Sequence, residues 1–249
     1  MTNWPDLGQA WRGAERWLLP PECLLCRFAI SPAEGDPLVC ALCRARWLRL
    51  PEPVCPRCGQ PETPGLACRI CLDWPAGFGP VQSAVWLADG ARAAVHFLKY
   101  GGWPRIGESL AGAMTTLPLL AEGPTLVPVP LGRGRLRERG YNQCDSLADG
   151  IAGRVGATVL TDLLRRRRET QRQARLTPEA RCSNVARAFV ADRPFAETVV
   201  LVDDVFTTGA TLVAAASALL EAGAERIAAV TFARARRPLD DDVARLSLT

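Results

Sequence analysis

Histidine occurs once in this chain, at His96, and lysine once, at Lys99, against 29 arginines. A single histidine cannot build a His-rich metal site, and the neighbouring Leu98 and Lys99 do not complete one, so a packed, hydrogen-bonded ring is expected at 96. The scarcity of lysine makes Lys99 conspicuous, because every other cationic position accepts arginine. No apolar run approaches the roughly 20 residues of a membrane-spanning helix, so a transmembrane segment is not expected. The first residues carry Asp6 and Glu15 without a continuous apolar stretch, which argues against a secretory signal and for a cytoplasmic location. Internal repeats are also missing.

What is present is unevenly distributed. The chain has 249 residues, 48% of them apolar, enough for two domains and a real core. Net charge is only +4, yet residues 131–187 hold thirteen arginines against six acidic residues, the excess that marks a polyanion-facing surface. Eight of the ten cysteines fall into four C-x-x-C pairs: Cys23/Cys26, Cys40/Cys43, Cys55/Cys58 and Cys68/Cys71. Thirteen residues separate the first two pairs and nine the last two, which is zinc-ribbon spacing. Each C-x-x-C turn aims two thiolates at one point, and two turns complete a tetrahedral four-sulfur site for structural Zn(II). A disulfide scaffold would need an oxidising compartment, and a redox C-x-x-C would need one pair within a βαβ unit. Sequential pairing of the ligand sets is favoured, since shorter loops cost less closure entropy. Four thiolates leave no open position, so both sites read as structural. Cys144 and Cys182 stand alone, as small packed thiols.

The segment Val199–Leu212 carries the chemistry. An apolar β-branched run, Val199 to Val202, ends in Asp203 and Asp204. Then come Val205, Phe206, the turn Thr207-Thr208-Gly209-Ala210-Thr211, and an Ala/Leu-rich helical stretch. This order predicts a buried parallel strand, a loop at its carboxyl end and a helix starting on the loop, the crevice where open α/β sheets bind ligands. Hydroxyls and backbone N–H groups at the helix start favour a phosphate. The two carboxylates can accept hydrogen bonds from vicinal hydroxyls. Phosphate beside diol describes a ribose 5-phosphate. The spacing resembles the phosphoribosyl-diphosphate (PRPP) signature of type I phosphoribosyltransferases. That resemblance implies that Asp203 and Asp204 hold the ribose hydroxyls and that Thr207, Thr208, Gly209, Ala210 and Thr211 cradle the 5-phosphate.

Along the chain, Trp4, Leu7, Trp11, Ala14 and Leu18 predict a short amphipathic helix over 1–20. A ribbon region over 21–75 ends in a Pro/Gly linker, Leu72 to Pro80. Strand-like runs at 81–87, 125–130, 158–160, 199–206 and 226–231 alternate with helix-like runs at 91–99, from Pro104 toward Leu120, at 142–154, near 178–187 and at 210–222. Alternation of this kind predicts an α/β fold with a mostly parallel sheet flanked by helices. Residues 131–141 read as a basic loop, and 161–178 as a long polar loop of the kind that forms lids.

With these motifs in order, the chain resembles the ComF family of competence-associated proteins, which join a double zinc ribbon to a type I phosphoribosyltransferase-like domain. Further motifs carry the likeness: His96-Phe97-Leu98-Lys99-Tyr100-Gly101-Gly102, Val127-Pro128-Val129-Pro130, Arg139-Gly140-Tyr141-Asn142-Gln143, and the spaced Thr170, Gln173, Leu176, Arg181, Asn184 and Ala188-Phe189. The resemblance implies a phosphoribosyltransferase-like domain over 81–235, a C-terminal tail over 236–249, PRPP with Mg(II) as ligand, and handling of single-stranded DNA during natural transformation. It also implies a diphosphate loop at Val129–Arg133 and a flap at 161–178. Arg137 and Arg139 could clamp diphosphate or a nucleic-acid phosphate. Lys99 joins Asp203 and Asp204 as a catalytic candidate, its plainer role being a helix C-terminal cation. The ribbons could contact a helicase-like protein or brace the second domain. If the site turns over, the reaction is displacement of diphosphate at C1 of PRPP; an active transferase on a small-molecule acceptor, with no nucleic-acid role, is the alternative. Glutamine amidophosphoribosyltransferase shares only the PRPP loop and requires an N-terminal nucleophilic cysteine, where this chain has Thr2.

Overall fold

The β-branched apolar runs become the strands of one twisted sheet. In the computed structural model, which describes residues 21–36, 38–62, 67–167 and 188–236, the strands are β1 (Phe78–Trp86), β2 (Thr125–Pro128), β3 (Thr158–Val159), β4 (Leu164–Arg166), β5 (Phe189–Ala191), β6 (Thr198–Phe206) and β7 (Arg226–Arg234). Five of them form a sheet in the order β1-β7-β6-β2-β3, every neighbouring pair parallel. The other two, β4 and β5, pair antiparallel, with Arg166 opposite Phe189. The helices are α1 (Ala41–Ala45), α2 (Asp89–Tyr100), α3 (Ile106–Met114), α4 (Arg133–Arg139), α5 (Gln143–Val155) and α6 (Ala210–Glu221).

Side-chain alternation along β6 and β7 divides the core in two. Val200, Val202, Ala228 and Val230 pack beneath α2, α3 and α5 through Leu98, Leu110, Leu147 and Ile151. Val199, Leu201, Ile227 and Ala229 pack against α6 through Leu212, Ala215 and Leu219. Both faces are covered, which is why these strands read as unbroken apolar runs rather than alternating ones.

The cysteine pairs sort sequentially, Cys23/Cys26 with Cys40/Cys43 and Cys55/Cys58 with Cys68/Cys71, each set with its sulfurs within 4.8 Å of one another. The two ribbons sit on opposite faces: Cys23, Cys43 and Trp47 join the core beneath α2 and α3, while Cys55, Cys58, Cys71 and Trp74 join the α6 side. Between them they cover the β1 edge. Trp86 N–H donates to Leu48 O (2.7 Å) and Val81 N–H to Arg57 O (3.0 Å), so backbone groups that would invite another strand are already occupied. Arg57 gathers the ribbon exit, donating to the carbonyls of Cys71 (2.9 Å), Trp74 (2.9 Å), Pro75 (2.8 Å) and Phe78 (3.3 Å). Asp36 does the same for the first ribbon, accepting from Leu38 N–H and Val39 N–H (3.0 Å each), from Ser109 of α3 (2.8 Å), and pairing with Arg44 (2.8 Å).

Three elements differ from the sequence expectation. The basic stretch at 131–141 is the helix α4, made of strong helix formers and closed by Gly140 in the left-handed conformation (φ 84°). The helix expected to run to Leu120 stops at Met114, because a residue preceding proline avoids helical geometry, and a 3₁₀ turn follows over Pro118–Leu120. The first part of the expected flap, Leu164–Arg166, is the strand β4. The expected helices over 1–20 and near 178–187, Cys182, residues 168–178 of the flap, and residues 237–249 of the tail lie outside the described residues.

Zinc analysis of the purified protein is expected to give two ions per chain and Cys26→Ser one, with the thermal midpoint of the variant lowered by roughly 10 °C or more as the unligated ribbon loses its scaffold. An unchanged zinc content in the variant would refute the assignment.

Candidate functional site

The second cysteine quartet braces the cleft. Within the quartets, Cys26–Cys40, Cys55–Cys71 and Cys58–Cys68 sulfurs are 3.7, 3.8 and 3.4 Å apart. A tetrahedron of thiolates about 2.3 Å from zinc has edges of about 3.8 Å, so the sulfurs stand where a zinc ion would hold them. Backbone N–H groups of Cys40 and Cys43 donate to the sulfurs of Cys23 and Cys40 (3.4 Å each). Burial alone would raise the thiols of Cys23 and Cys55, but backbone N–H donors outweigh it and hold both down at about 7. Double-ribbon geometry and donor chemistry agree on structural zinc.

The sheet's carboxyl edge carries the second site. There β6 ends in Asp203 and Asp204, both buried, and they line a cavity of about 400 Å³ together with Lys99, Arg135, Thr207 and Thr211. That volume is within the range of small-ligand sites. A larger groove of about 610 Å³ between α3 and α5 shares no residue with it; Arg105 and Arg154 there face Glu108 and Asp149, so no one charge converges.

Three elements converge on the acidic pair. From α2, Lys99 Nζ lies 2.8 Å from Asp204 Oδ1, the ammonium side chain 24% exposed and the carboxylate 4%. Burial opposes the charge on Lys99, but the Asp204 carboxylate outweighs it and raises the lysine above its ordinary value. From the first turn of α5, the Cys144 thiol contacts Asp203 Oδ1 at 3.4 Å, and Asp204 N–H donates to the same oxygen at 2.8 Å. Burial and the adjacent Asp204 charge push Asp203 up to about 7, with Lys99 pulling the other way. Cys144 is raised well above a free thiol, chiefly by burial, and is not a nucleophile at neutral pH. Asp204 Oδ2 is buried with no hydrogen-bond donor among the described residues. That orphaned acceptor is what a ligand hydroxyl or a hydrated cation would satisfy.

The turn after β6 supplies the rest. Thr207 and Thr211 line the cavity, and Thr208 Oγ1 accepts from Ala210 N–H (3.4 Å) at the start of α6. Gly209 caps α6 with φ +80°, and a Cβ there would lie 3.0 Å from Phe206 and 3.1 Å from Trp74. No other residue fits this turn. Trp74, which follows the last cysteine of the second ribbon, also stacks on Phe78 (4.8 Å). Arg234 at the end of β7 lies over the Phe206 ring (4.0 Å) and donates to Cys58 O (2.9 Å). The ribbon is therefore the back wall of the phosphate-type turn.

Of the sequence-selected residues, Asp203, Asp204, Lys99, Thr207 and Thr211 share the cavity. Thr208, Gly209 and Ala210 shape the turn. Arg133 and Arg137 are exposed on α4 and do not line the cavity. Arg139 donates to Gln143 Oε1, and Gln143 lines the cavity. Sequence reasoning missed Arg135 and Arg166, which do line it. For Arg135 the signal was the helical period: within α4, 135 and 139 share one face and 133 and 137 another. Tyr141 and Asn142 order their loop. Tyr141 donates to Leu98 O (2.5 Å), and Asn142 caps α5, accepting from Cys144 N–H (3.3 Å) while donating to Val129 O (3.2 Å).

A carboxyl raised from about 3.9 to about 7 on folding favours the native state only while protonated, so its cost grows as pH rises between those values. Asp203→Asn keeps an acceptor for Asp204 N–H and removes that cost. The variant is expected to melt several degrees higher than wild type at pH 8, the gain vanishing as pH falls toward 4; scanning calorimetry across that range tests it, and a gain independent of pH would contradict it.

Comparison with known proteins accords with this geometry. Residues 147–246 match the phosphoribosyl transferase domain family and residues 14–72 the double zinc ribbon domain family. The chain is 32% identical over 218 residues to DNA utilization protein YhgH of Salmonella typhimurium, covering 84% of this chain and 95% of that protein. It is 28% identical to competence protein ComFC of Bacillus subtilis, covering 81% and 89%. Among solved structures, the allosteric regulatory enzyme of purine biosynthesis aligns over 56% of this chain and 30% of its own, at 19% identity and a TM-score of 0.35. A double zinc ribbon followed by a phosphoribosyltransferase domain, with nearly full-length likeness to these relatives, makes the chain a member of the ComF family of competence and DNA utilization proteins.

Proposed function

We propose that the cleft at the end of β6 binds PRPP with Mg(II), and that the protein serves DNA uptake and use by handling single-stranded DNA. One observation carries the reading: two buried adjacent carboxylates, one paired with Lys99 and one of its oxygens unclaimed, face a Thr/Gly turn at the start of α6 in a single cavity. In this reading Asp203 and Asp204 accept from the ribose hydroxyls. Residues 207–211 hold the 5-phosphate with N–H groups and hydroxyls. Of the expected diphosphate loop, Val129, Pro130 and Leu131 line the cavity, and with Arg135 they receive the diphosphate. Mg(II), when bound with PRPP, supplies charge neutralisation to the diphosphate oxygens. Lys99 pairs with Asp204 and orients it. The DNA role draws on the relatives called DNA utilization and competence proteins and on the arginine excess over 131–187.

A second reading, transfer of the phosphoribosyl group to a small-molecule acceptor, is favoured by Asp203, whose carboxyl is pushed up to about 7 by burial and the Asp204 charge. A group with that affinity can accept an acceptor's proton near neutrality. Diphosphate release in the presence of candidate nucleophiles separates turnover from binding alone.

Calorimetric titration of PRPP with Mg(II) into Asp203→Asn/Asp204→Asn should show affinity reduced by about 10-fold or more, the loss of charge-assisted hydrogen bonds; affinity equal to wild type defeats the ribose assignment. Separately, Arg135→Ala with Arg166→Ala should flatten the salt dependence of single-stranded DNA binding, lowering the slope of log K against log salt by roughly one to two. A slope unchanged from wild type removes these arginines from the DNA path.

A further inference from the structure

Tyr100, the last residue of α2, is 70% exposed and lies at the mouth of the same cavity. A large aromatic left in water gives up most of the stabilisation its burial would provide, yet this one has two side-chain partners. The His96 ring, one turn earlier, lies 5.2 Å from it at an interplanar angle of 49°. The Arg139 guanidinium of α4 lies 5.4 Å from its ring centroid. Arg139 is itself anchored to Gln143 at the start of α5. The ring is thus contacted from its own helix and from α4, and its remaining surface faces solvent. Beyond it the chain turns through Gly101 and Gly102, and a Cβ at Gly102 would meet nothing within 4 Å, so the approach is open. Inside the mouth the lining is cationic, with Arg92, Lys99, Arg135 and Arg166.

A flat, pre-positioned π-face beside a cationic cleft suits a planar ring that carries phosphate. A neutral sugar would stack as well but would have no use for the arginines, and a simple anion would have no use for the ring. We propose that Tyr100 is a stacking platform for an unpaired nucleobase whose phosphate is drawn to the cationic lining. The inference rests on the reading of a PRPP cleft in a DNA-handling protein and deepens it by naming the residue that takes the base. A base of single-stranded DNA and the base of a free nucleotide share this chemistry.

The test uses the full chain, its zinc retained, with wild type, Tyr100→Ala and Tyr100→Phe. Fluorescence anisotropy reads binding of a labelled single-stranded oligothymidylate, competition by thymidine 5′-monophosphate reads the free nucleotide, and calorimetry reads PRPP with Mg(II). Tyr100→Ala is expected to weaken the oligonucleotide by about 5- to 100-fold, the range for losing one stacked base, with Tyr100→Phe within about twofold of wild type because the ring, not the hydroxyl, does the stacking. PRPP affinity should be unchanged in both. A matching loss for the monophosphate assigns the platform to a nucleotide; a loss confined to the oligonucleotide assigns it to DNA. The inference is overturned if Tyr100→Ala binds both base-carrying probes like wild type, if Tyr100→Phe is as weak as Tyr100→Ala, or if PRPP affinity falls in step. Wild type that binds PRPP but neither base-carrying probe also overturns it and leaves the PRPP reading standing. Wild type that binds the oligonucleotide through Tyr100 but not PRPP does the reverse.

Discussion

Two adjacent carboxylates are buried at the end of β6 with one ammonium between them and solvent. Taking a charge out of water costs several kcal/mol unless it is paired and hydrogen-bonded. Here the second charge is met only in part: Asp203 has a backbone N–H and a thiol, and Asp204 Oδ2 has no donor among the described residues. The apolar face of α2, formed by Ala91, Ala94, Val95 and Leu98, is packed so that Lys99 emerges at the one point where it reaches Asp204. The start of α5 is capped by Asn142 so that Cys144 meets Asp203. Both helices are therefore positioned by a pair of carboxylates that the fold alone would be more stable without. Such local conflict between stability and arrangement is what ligand-binding sites retain.

The ribbons make that conflict tolerable. Neither has much apolar core of its own, and each is held by metal-type thiolate clusters and then by one multidentate side chain, Asp36 on the first and Arg57 on the second. Asp36 is held below the usual carboxylate range by its N–H, Ser109 and Arg44 partners despite its burial. Through Trp74 and Phe206 the second ribbon closes the space behind Gly209, and through Arg234 it is tied to the strand next to β6. The metal-organised part of the chain is thus a wall of the cleft, and the phosphate-type turn inherits its rigidity from the ribbon.

Much of this was legible in the sequence, for identifiable reasons. A strand buried on both faces must be an unbroken apolar run, so Val199–Val202 announced itself, and the two acidic residues at its end marked a candidate site, which the structure shows to be buried rather than a solvated turn. C-x-x-C turns act locally, so their pairing followed from loop length. What was not legible depends on distant elements meeting. Cys144 looked like any small packed residue until α5 brought it against Asp203. Arg166 is part of a site only because β4 pairs with β5 at the cleft. The arginines of 133–139 were misweighted because their charge suggested a loop, whereas Leu136 and the closing Gly140 allow a helix in which one face alone turns toward the cavity.

The lone lysine now has a physical reason. Three buried or half-buried arginines each join several acceptors: Arg57 spans four carbonyls, Arg44 joins Asp36 to Val39 O, and Arg234 joins Cys58 O to Gln60 Oε1. A guanidinium fork gains from many acceptors and leaves donors unmet when offered one. Position 99 offers a single buried carboxylate oxygen at 2.8 Å, and a compact ammonium satisfies it with its other donors left toward the cavity. A longer, broader guanidinium there would extend into the cavity beside Asp203 and Asp204. The lysine that composition first set apart is thus a single point charge placed on a buried carboxylate at the wall of the cavity.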